Sequence, residues 1–273
     1  MAAIDRKGTR ARAKLRAFVD AYVANDLLTY ASAISFQVLS SLVPLLLFTV
    51  GLLGFFSLEG VWRDELARDI QPRVSGPAFG LMDEVVNHVL DSRTVFWVTA
   101  GFVIALWEIS GAMRAVMGAV NRVYGDETRR SWRRRMGVST ALGVAVGACM
   151  LAAPAVVLLG PLVHGDVEPG LDAVLLIFRW GVAAAILLFA VALLLHFAPE
   201  RRQPLHWVTF GALLIMFGWL VMSIGFGVYL RDVADYNSIF GGLATVVVLI
   251  AYLYAGAVVF LGGVQIDAMI RIP

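Results

Sequence analysis

One cysteine, Cys149, is found in 273 residues, and it lies inside an apolar run. A single thiol excludes an intramolecular disulfide and any zinc pattern needing two or more cysteines. Cys149 is left to act as a small hydrophobe. Charge is also scarce: 15% of residues are Asp, Glu, Lys or Arg against 60% hydrophobic, and the net charge is +2. With a mean hydropathy of +0.80, the composition falls outside that of soluble globular domains. A net charge of +2 does not imply a nucleic-acid partner, and none is expected. Catalytic signatures are missing too. His88, His164, His196 and His206 are scattered with no HExxH spacing, and neither GxSxG nor a Walker phosphate loop occurs. These absences argue against a zinc peptidase, a serine hydrolase and an ATP-driven pump within this chain, and no cofactor or metal is expected.

What the chain does have is long apolar runs. A nineteen-residue window places six of them at about 31–56, 95–118, 138–162, 174–198, 207–230 and 239–266. In hydrocarbon every backbone polar group must be satisfied internally, so runs of this length are helices. The segments between them alternate in charge. The first arm carries Arg6, Lys7, Arg10, Arg12, Lys14 and Arg16, and the connector after the second run carries Arg122, Arg129, Arg130, Arg133, Arg134 and Arg135. Arg201 and Arg202 mark the fourth connector and Arg271 the tail, whereas the 163–173 connector has Asp166, Glu168 and Asp172 with no Lys or Arg. The positive-inside rule then places both termini in the cytoplasm. The expected fold is an all-α membrane protein with six transmembrane helices, N-in and C-in.

Two smaller features complete the expected organisation. Residues 1–29 form a basic amphipathic arm, read as retained because its apolar run exceeds a signal peptide's and no small-x-small cleavage pattern follows. Leu15, Phe18, Val19, Tyr22 and Val23 recur at helical spacing there. Such a helix either lies in the headgroup boundary or packs under the bundle. Residues 30–273 form the six-helix domain, with an external insertion at about 57–94. In that insertion Trp62, Leu66 and Ile70, then Met82, Val85, Val86 and Val89, predict two short helices broken between Pro72 and Pro77, a small cap.

Polar residues inside the runs are the candidates for function. Tyr30, Gln37, Ser41 and Pro44 share one face of the first span, which is either a polar seam kinked at Pro44 or ordinary interhelical hydrogen bonding. Glu108 sits in the second span, ahead of the small-residue stripe Gly111, Ala115, Gly118 and Ala119. A carboxylate there costs about 2.5–3.5 kcal/mol, so it should face the interior, carry a proton or pair with Arg114, Arg122 or Arg179. Arg179 is expected to snorkel to the outer interface as an anchor. Gly143 with Gly147, and Gly211, Gly218 and Gly225 spaced by sevens, mark helix contacts. Asn237 opens the last span, either as a helix cap or as part of a head-group site. Gln265 and Asp267 lie near its cytoplasmic end.

The run from Tyr30 to Phe36 through Ser40, Ser41 and Pro44 resembles the first-span motif of the YihY/BrkB membrane proteins, formerly labelled ribonuclease BN-like. The resemblance continues through Trp107 to Arg114, Asn121 to Tyr124, Phe197 to Pro199, Gly211, Trp219, Tyr229, and Tyr236 with Asn237 to Gly241, covering Tyr30 to Ala268. It implies a six-span protein of the bacterial inner membrane linked to envelope integrity or export. The family's Gly-Ala-Glu-Leu-Asn segment reads Gly263-Val264-Gln265-Ile266-Asp267 here, and Phe240 stands where tyrosine is frequent. No mechanism resting on that family glutamate carries over.

The leading expectation is a transport or lipid-handling protein for an amphipathic or anionic envelope substrate. Its polar seam would comprise Gln37, Ser41, Pro44, Glu108, Arg114, Asn121, Arg122, Asn237, Gln265 and Asp267, with membrane lipids as partners. The alternative is a non-transporting scaffold that docks envelope-assembly proteins. Ribonuclease action is the weakest reading, because Asp126, Glu127, Glu200 and Asp267 lack a metal-binding spacing.

Overall fold

The computed structural model describes residues 2–57, 60, 62, 67–71, 76–92, 94–125, 130–164, 169–200, 205–232 and 242–271, which are helical apart from turns, bends and the single residues Thr94 and Ser131. Helix α1 (Ala2–Ala24) leads into α2 (Leu27–Phe55), and the short α3 (Ala67–Ile70) and α4 (Gly76–Ser92) follow. Then come α5 (Val95–Tyr124), α6 (Trp132–His164), α7 (Pro169–Phe197), α8 (Leu205–Asp232) and α9 (Gly242–Arg271). Six of these are long and apolar enough to cross a membrane: α2, α5 and α6 to α9. They pack in a ring, each against the next in the order α2, α5, α6, α7, α8, α9, with α9 returning to α2 and also touching α5.

The closest pair is α2 with α5, and glycine is the reason. A Cβ on Gly101 would stand 2.6 Å from the Phe48 nitrogen and 2.9 Å from the Pro44 carbonyl, and one on Gly51 would stand 3.0 Å from the Val98 nitrogen. Without those side chains the two backbones meet directly, as small residues allow in helix pairs. Gly54 does the same for α4, whose Leu90 backbone lies 2.9 Å from the corresponding position.

Burial is uneven along the ring. The main apolar core gathers Leu27, Ala31 and Ile34 of α2, Ala112 to Val123 of α5, Leu142 and Val146 of α6, Ala190 to Ala198 of α7, Ala212 and Ile215 of α8, and Ala257 to Ala268 of α9. All of these lie in the half of each helix next to the arginine-bearing connectors. Beyond Ile215 on α8, and before Ala257 on α9, no described side chain is buried. The glycine series on α8 shows why. A Cβ at Gly211 would meet Asp267 at 3.1 Å and one at Gly218 would meet Val259 at 2.8 Å, whereas one at Gly225 would meet nothing within 4 Å. Helix α8 thus leans away from α9 toward the far end. Larger side chains bridge the widening gap: Trp219 Nε1 donates to the Gly256 carbonyl at 2.8 Å, and Tyr252 contacts Ser223 and Phe226.

The cap takes the expected two-helix form with one shift. Pro77 falls in the first turn of α4, where a missing N–H costs nothing, and not in a break before it. Trp62, Val86 and Leu90 bury together against Val50 and Leu53 of α2, and Trp62 Nε1 donates to Asp83 Oδ1 at 2.9 Å. Leu66 and Pro72 lie outside the described residues. Helix α1 divides its apolar residues. Phe18 and Tyr22 pack toward Gly262 of α9, while Leu15, Val19 and Val23 stay exposed.

Candidate functional site

The polar residues of the spans fall into separate stations. Midway along α5, Glu108 meets Gln37 of α2: with the amide nitrogen turned toward it, Gln37 donates to the Glu108 carbonyl at 3.0 Å and to Glu108 Oε2 at 3.1 Å. Gly111 leaves the room for this contact, since a Cβ there would collide with the end of the Gln37 side chain. None of the expected cationic partners pairs with Glu108 among the described residues. Ser41, buried beside Pro44, donates instead to the Val38 carbonyl of its own helix at 2.7 Å.

A second station joins α5 to α6. Arg114 Nη1 donates to Ser110 Oγ at 2.8 Å and to Met136 Sδ at 3.3 Å, and its guanidinium stands 5.5 Å from the Trp107 ring centroid. Ser110 also meets Ser139 at 2.9 Å. Beside this network a cleft of about 340 Å³ opens between Tyr30, Arg114, Ala115, Trp132, Arg135 and Met136. Arg135 reaches across to the Arg114 carbonyl at 3.4 Å.

The third station closes the arginine-rich end. Arg122 pairs with Asp26 at 2.8 Å, at the tight turn between α1 and α2 where Asp26 holds a left-handed φ of 53°. Asn25 donates to Gln265 at 2.9 Å, and Tyr124 donates to the fully buried Asp267 at 2.7 Å, so both polar residues of the α9 end are tied to other helices. Asn121 accepts the Glu200 backbone N–H at 2.9 Å. Glu200 in turn holds Arg130, which also donates to the carbonyls of Phe197 and Pro199 at 3.2 and 2.6 Å. This knot went unread in the sequence, where Arg130 was one arginine among several and Glu200 an isolated acid. The available signal was a lone acid just after the Phe197 to Pro199 motif, at the mouth of a basic connector. Asn237 lies outside the described residues.

Arg179 corrects an expectation. Its side chain is only 7% exposed, so it points into the bundle and does not snorkel, and its Nε is shielded from solvent with no acceptor among the described residues. It stands in the far half of α7, one turn from the buried Ala183. A buried N–H without an acceptor carries a desolvation cost.

Among the described residues no two side chains are seen to pair as a nucleophile with its base. Among the described residues no group of three or more His, Cys, Asp or Glu is placed to hold a metal. Guanidinium groups able to meet negative charge stand at two depths, Arg114 with Arg135 near one end and Arg179 toward the other.

Comparison with known proteins agrees with the fold. The family described as Virulence factor BrkB matches residues 18–272. A ribonuclease-like protein, YfkH of Bacillus subtilis (strain 168), is 24% identical over 263 residues, covering 94% of each chain. A UPF0761 membrane protein of Xanthomonas oryzae pv. oryzae (strain PXO99A) is 24% identical over 249 residues, which are 90% of this chain and 57% of that protein. One from Methylibium petroleiphilum is likewise 24% identical, over 87% of this chain and 57% of its own length. No solved structure gives a significant match.

Proposed function

The chain belongs to the BrkB virulence-factor family of polytopic membrane proteins, and from that premise we propose that it handles an amphipathic, anionic envelope lipid in the bacterial cytoplasmic membrane. Both termini and the arginine-rich connectors face the cytoplasm in this proposal, because basic residues are retained on that side. The observation that carries it is the splaying of α8 from α9, from contact at Gly211 and Gly218 to open space at Gly225. A bundle sealed at one end by core and polar knots, and opening between α8 and α9 toward the other, has the form of one state of an alternating-access carrier. The lipid's anionic head would meet Arg179 while its chains stay between the helices.

Reconstitution in liposomes tests this directly. Movement of labelled phosphatidylglycerol between leaflets above that of empty vesicles is expected, and rates equal to empty vesicles across anionic and zwitterionic lipids would overturn the proposal.

A scaffold without transport has one observation in its favour. The polar groups of the arginine-rich end satisfy one another through Asn25 with Gln265, Tyr124 with Asp267 and Asn121 with Glu200, as in a bundle built to stay closed. Envelope-assembly proteins would then dock on the cap or the arm. Catalysis is not part of either proposal, and a ribonuclease role rests on the name of one relative.

A further inference from the structure

We propose that the cleft between α2, α5 and α6 is a binding site for a phosphate group, held by Arg114 and Arg135 and reached from the membrane surface. Of the other arginines at this end, Arg122 has Asp26 and Arg130 has Glu200, while Arg133 and Arg134 are exposed on the surface. Arg114 and Arg135 have none among the described residues. Arg114 offers five N–H donors, yet the acceptors it meets are a hydroxyl and a thioether, Ser110 Oγ and Met136 Sδ. Thioether sulfur is a weak acceptor, so the guanidinium keeps most of its charge and donor capacity for something else.

Arg135 lies close by, donating to the Arg114 carbonyl itself. Two guanidinium groups lining one cleft repel each other unless an anion sits between them. Phosphate oxygens suit this arrangement, because planar forks of N–H donors grip them bidentately. The cleft volume of about 340 Å³ exceeds that of a bare phosphate and leaves room for the rest of a head group. Tyr30 adds a hydroxyl on the α2 side and lies over Gly118, where a Cβ would come within 2.9 Å of its ring.

The aromatic residues set the depth. Trp132 lines the cleft and is 72% exposed, and Trp107, about two turns further into the span than Arg114, is 60% exposed. An exposed tryptophan beside a cationic cleft at the start of an apolar helix, here Trp132 at the head of α6, is the composition of the lipid headgroup level. A lipid phosphate would reach Arg114 and Arg135 from the side while its chains pass over Trp107. The site goes beyond lipid handling, since it binds lipid whether or not the protein moves it.

Native mass spectrometry of the intact detergent-solubilised protein tests it, with short-chain phosphatidylglycerol, short-chain diacylglycerol, which lacks the phosphate, and inorganic phosphate as separate probes. Phosphatidylglycerol is expected to remain bound at least about tenfold more tightly than diacylglycerol, and Arg114→Gln and Arg135→Gln each to remove most of that margin. Arg122→Gln, whose guanidinium already has Asp26, should leave the margin intact. Competition by millimolar inorganic phosphate would identify the phosphate alone as the ligand, and no competition would identify the lipid as a whole. Because Arg114 also braces Ser110, a poorly folding Arg114→Gln leaves Arg135→Gln to decide. Equal retention of both lipids by the wild type, or an unchanged margin in Arg135→Gln, would overturn the site. Absence of lipid movement in liposomes with binding intact would remove the transport proposal and leave this one standing.

Discussion

Arg130 grips Glu200 twice, its backbone N–H donating to Oε1 at 3.0 Å and its Nε standing 3.4 Å from Oε2, across the two connectors that close the arginine-rich end. Both side chains are largely shielded, 9% and 15% exposed. Removing one member of such a pair leaves the other charge without compensation. Glu200→Ala should cost roughly 3 kcal/mol and Glu200→Gln clearly less, because the amide oxygen still accepts the Arg130 N–H. Thermal unfolding in detergent measures both, and equal, small shifts would show that the pair contributes little.

Glycine contacts give a ranking that depends only on geometry. Gly101→Ala drives a methyl into the backbone at Pro44 and Phe48, which cannot yield, so a loss of about 2 kcal/mol or more is expected. Gly111→Ala meets the flexible end of Gln37, which can swing aside at the expense of its contact with Glu108, so the loss is smaller. Gly225→Ala meets open space and should be neutral or gain up to about 1 kcal/mol from helix propensity. Any inversion of that order in melting temperatures would contradict the helix spacing described above.

Alkaline titration isolates Tyr22 of α1. Its phenol is raised from the ordinary 10.0 to about 12, first by burial and second by the neighbouring Tyr254. Its hydroxyl donates to the Val258 carbonyl at 3.2 Å, and the side chain is 8% exposed. The folded protein therefore keeps a proton that the unfolded chain releases. The resulting stability, up to roughly 2.5 kcal/mol, is complete below pH 10 and fades as pH rises toward 12. Tyr22→Phe should flatten that decline relative to the wild type. Parallel pH profiles for the two proteins would show that Tyr22 does not titrate with unfolding.

Much of this architecture is legible in the sequence because hydrocarbon restricts the choices so severely. Runs such as Leu27–Phe55 and Val174–Phe197 have no alternative to helix once their length matches a bilayer. The cap was readable from Trp62, Val86 and Val89 at helical spacing for the same reason of periodic burial. Side-chain pairing was less so. Glu108 has a neutral partner in Gln37, which sequence could not choose over three arginines, because the choice depends on the crossing of α2 and α5 at Gly111. The inward turn of Arg179 depends on the rotation of α7 about its axis, which small residues such as Ala183 permit but no local pattern dictates. Splaying at Gly225 is likewise invisible in a heptad of glycines that reads as uniform contact.

Arg179 offers a separation of function from stability. A buried cation whose Nε has no acceptor contributes nothing to the fold that a well-packed hydrophobe would not, so Arg179→Leu should be neutral or stabilising by about 1 kcal/mol. The same change should abolish movement of anionic lipid in liposomes if the far-end cation meets the head group. A strongly destabilised Arg179→Leu would instead mark the residue as structural.

Sidedness can be fixed with two engineered thiols once Cys149 is replaced by Ala, since it is the sole native cysteine. Ser131 stands just before α6 and Thr94 just before α5; both are exposed and lie at opposite ends of the α5 span. Retention of basic connectors in the cytoplasm predicts that Ser131→Cys in intact cells is protected from a membrane-impermeant maleimide, while Thr94→Cys reacts. The reverse pattern would invert the protein and put Arg114, Arg135 and their cleft against the outer leaflet. Labelling of both from one side would break the ring itself, because thirty residues of helix between Val95 and Tyr124 cannot begin and end on the same face of a bilayer.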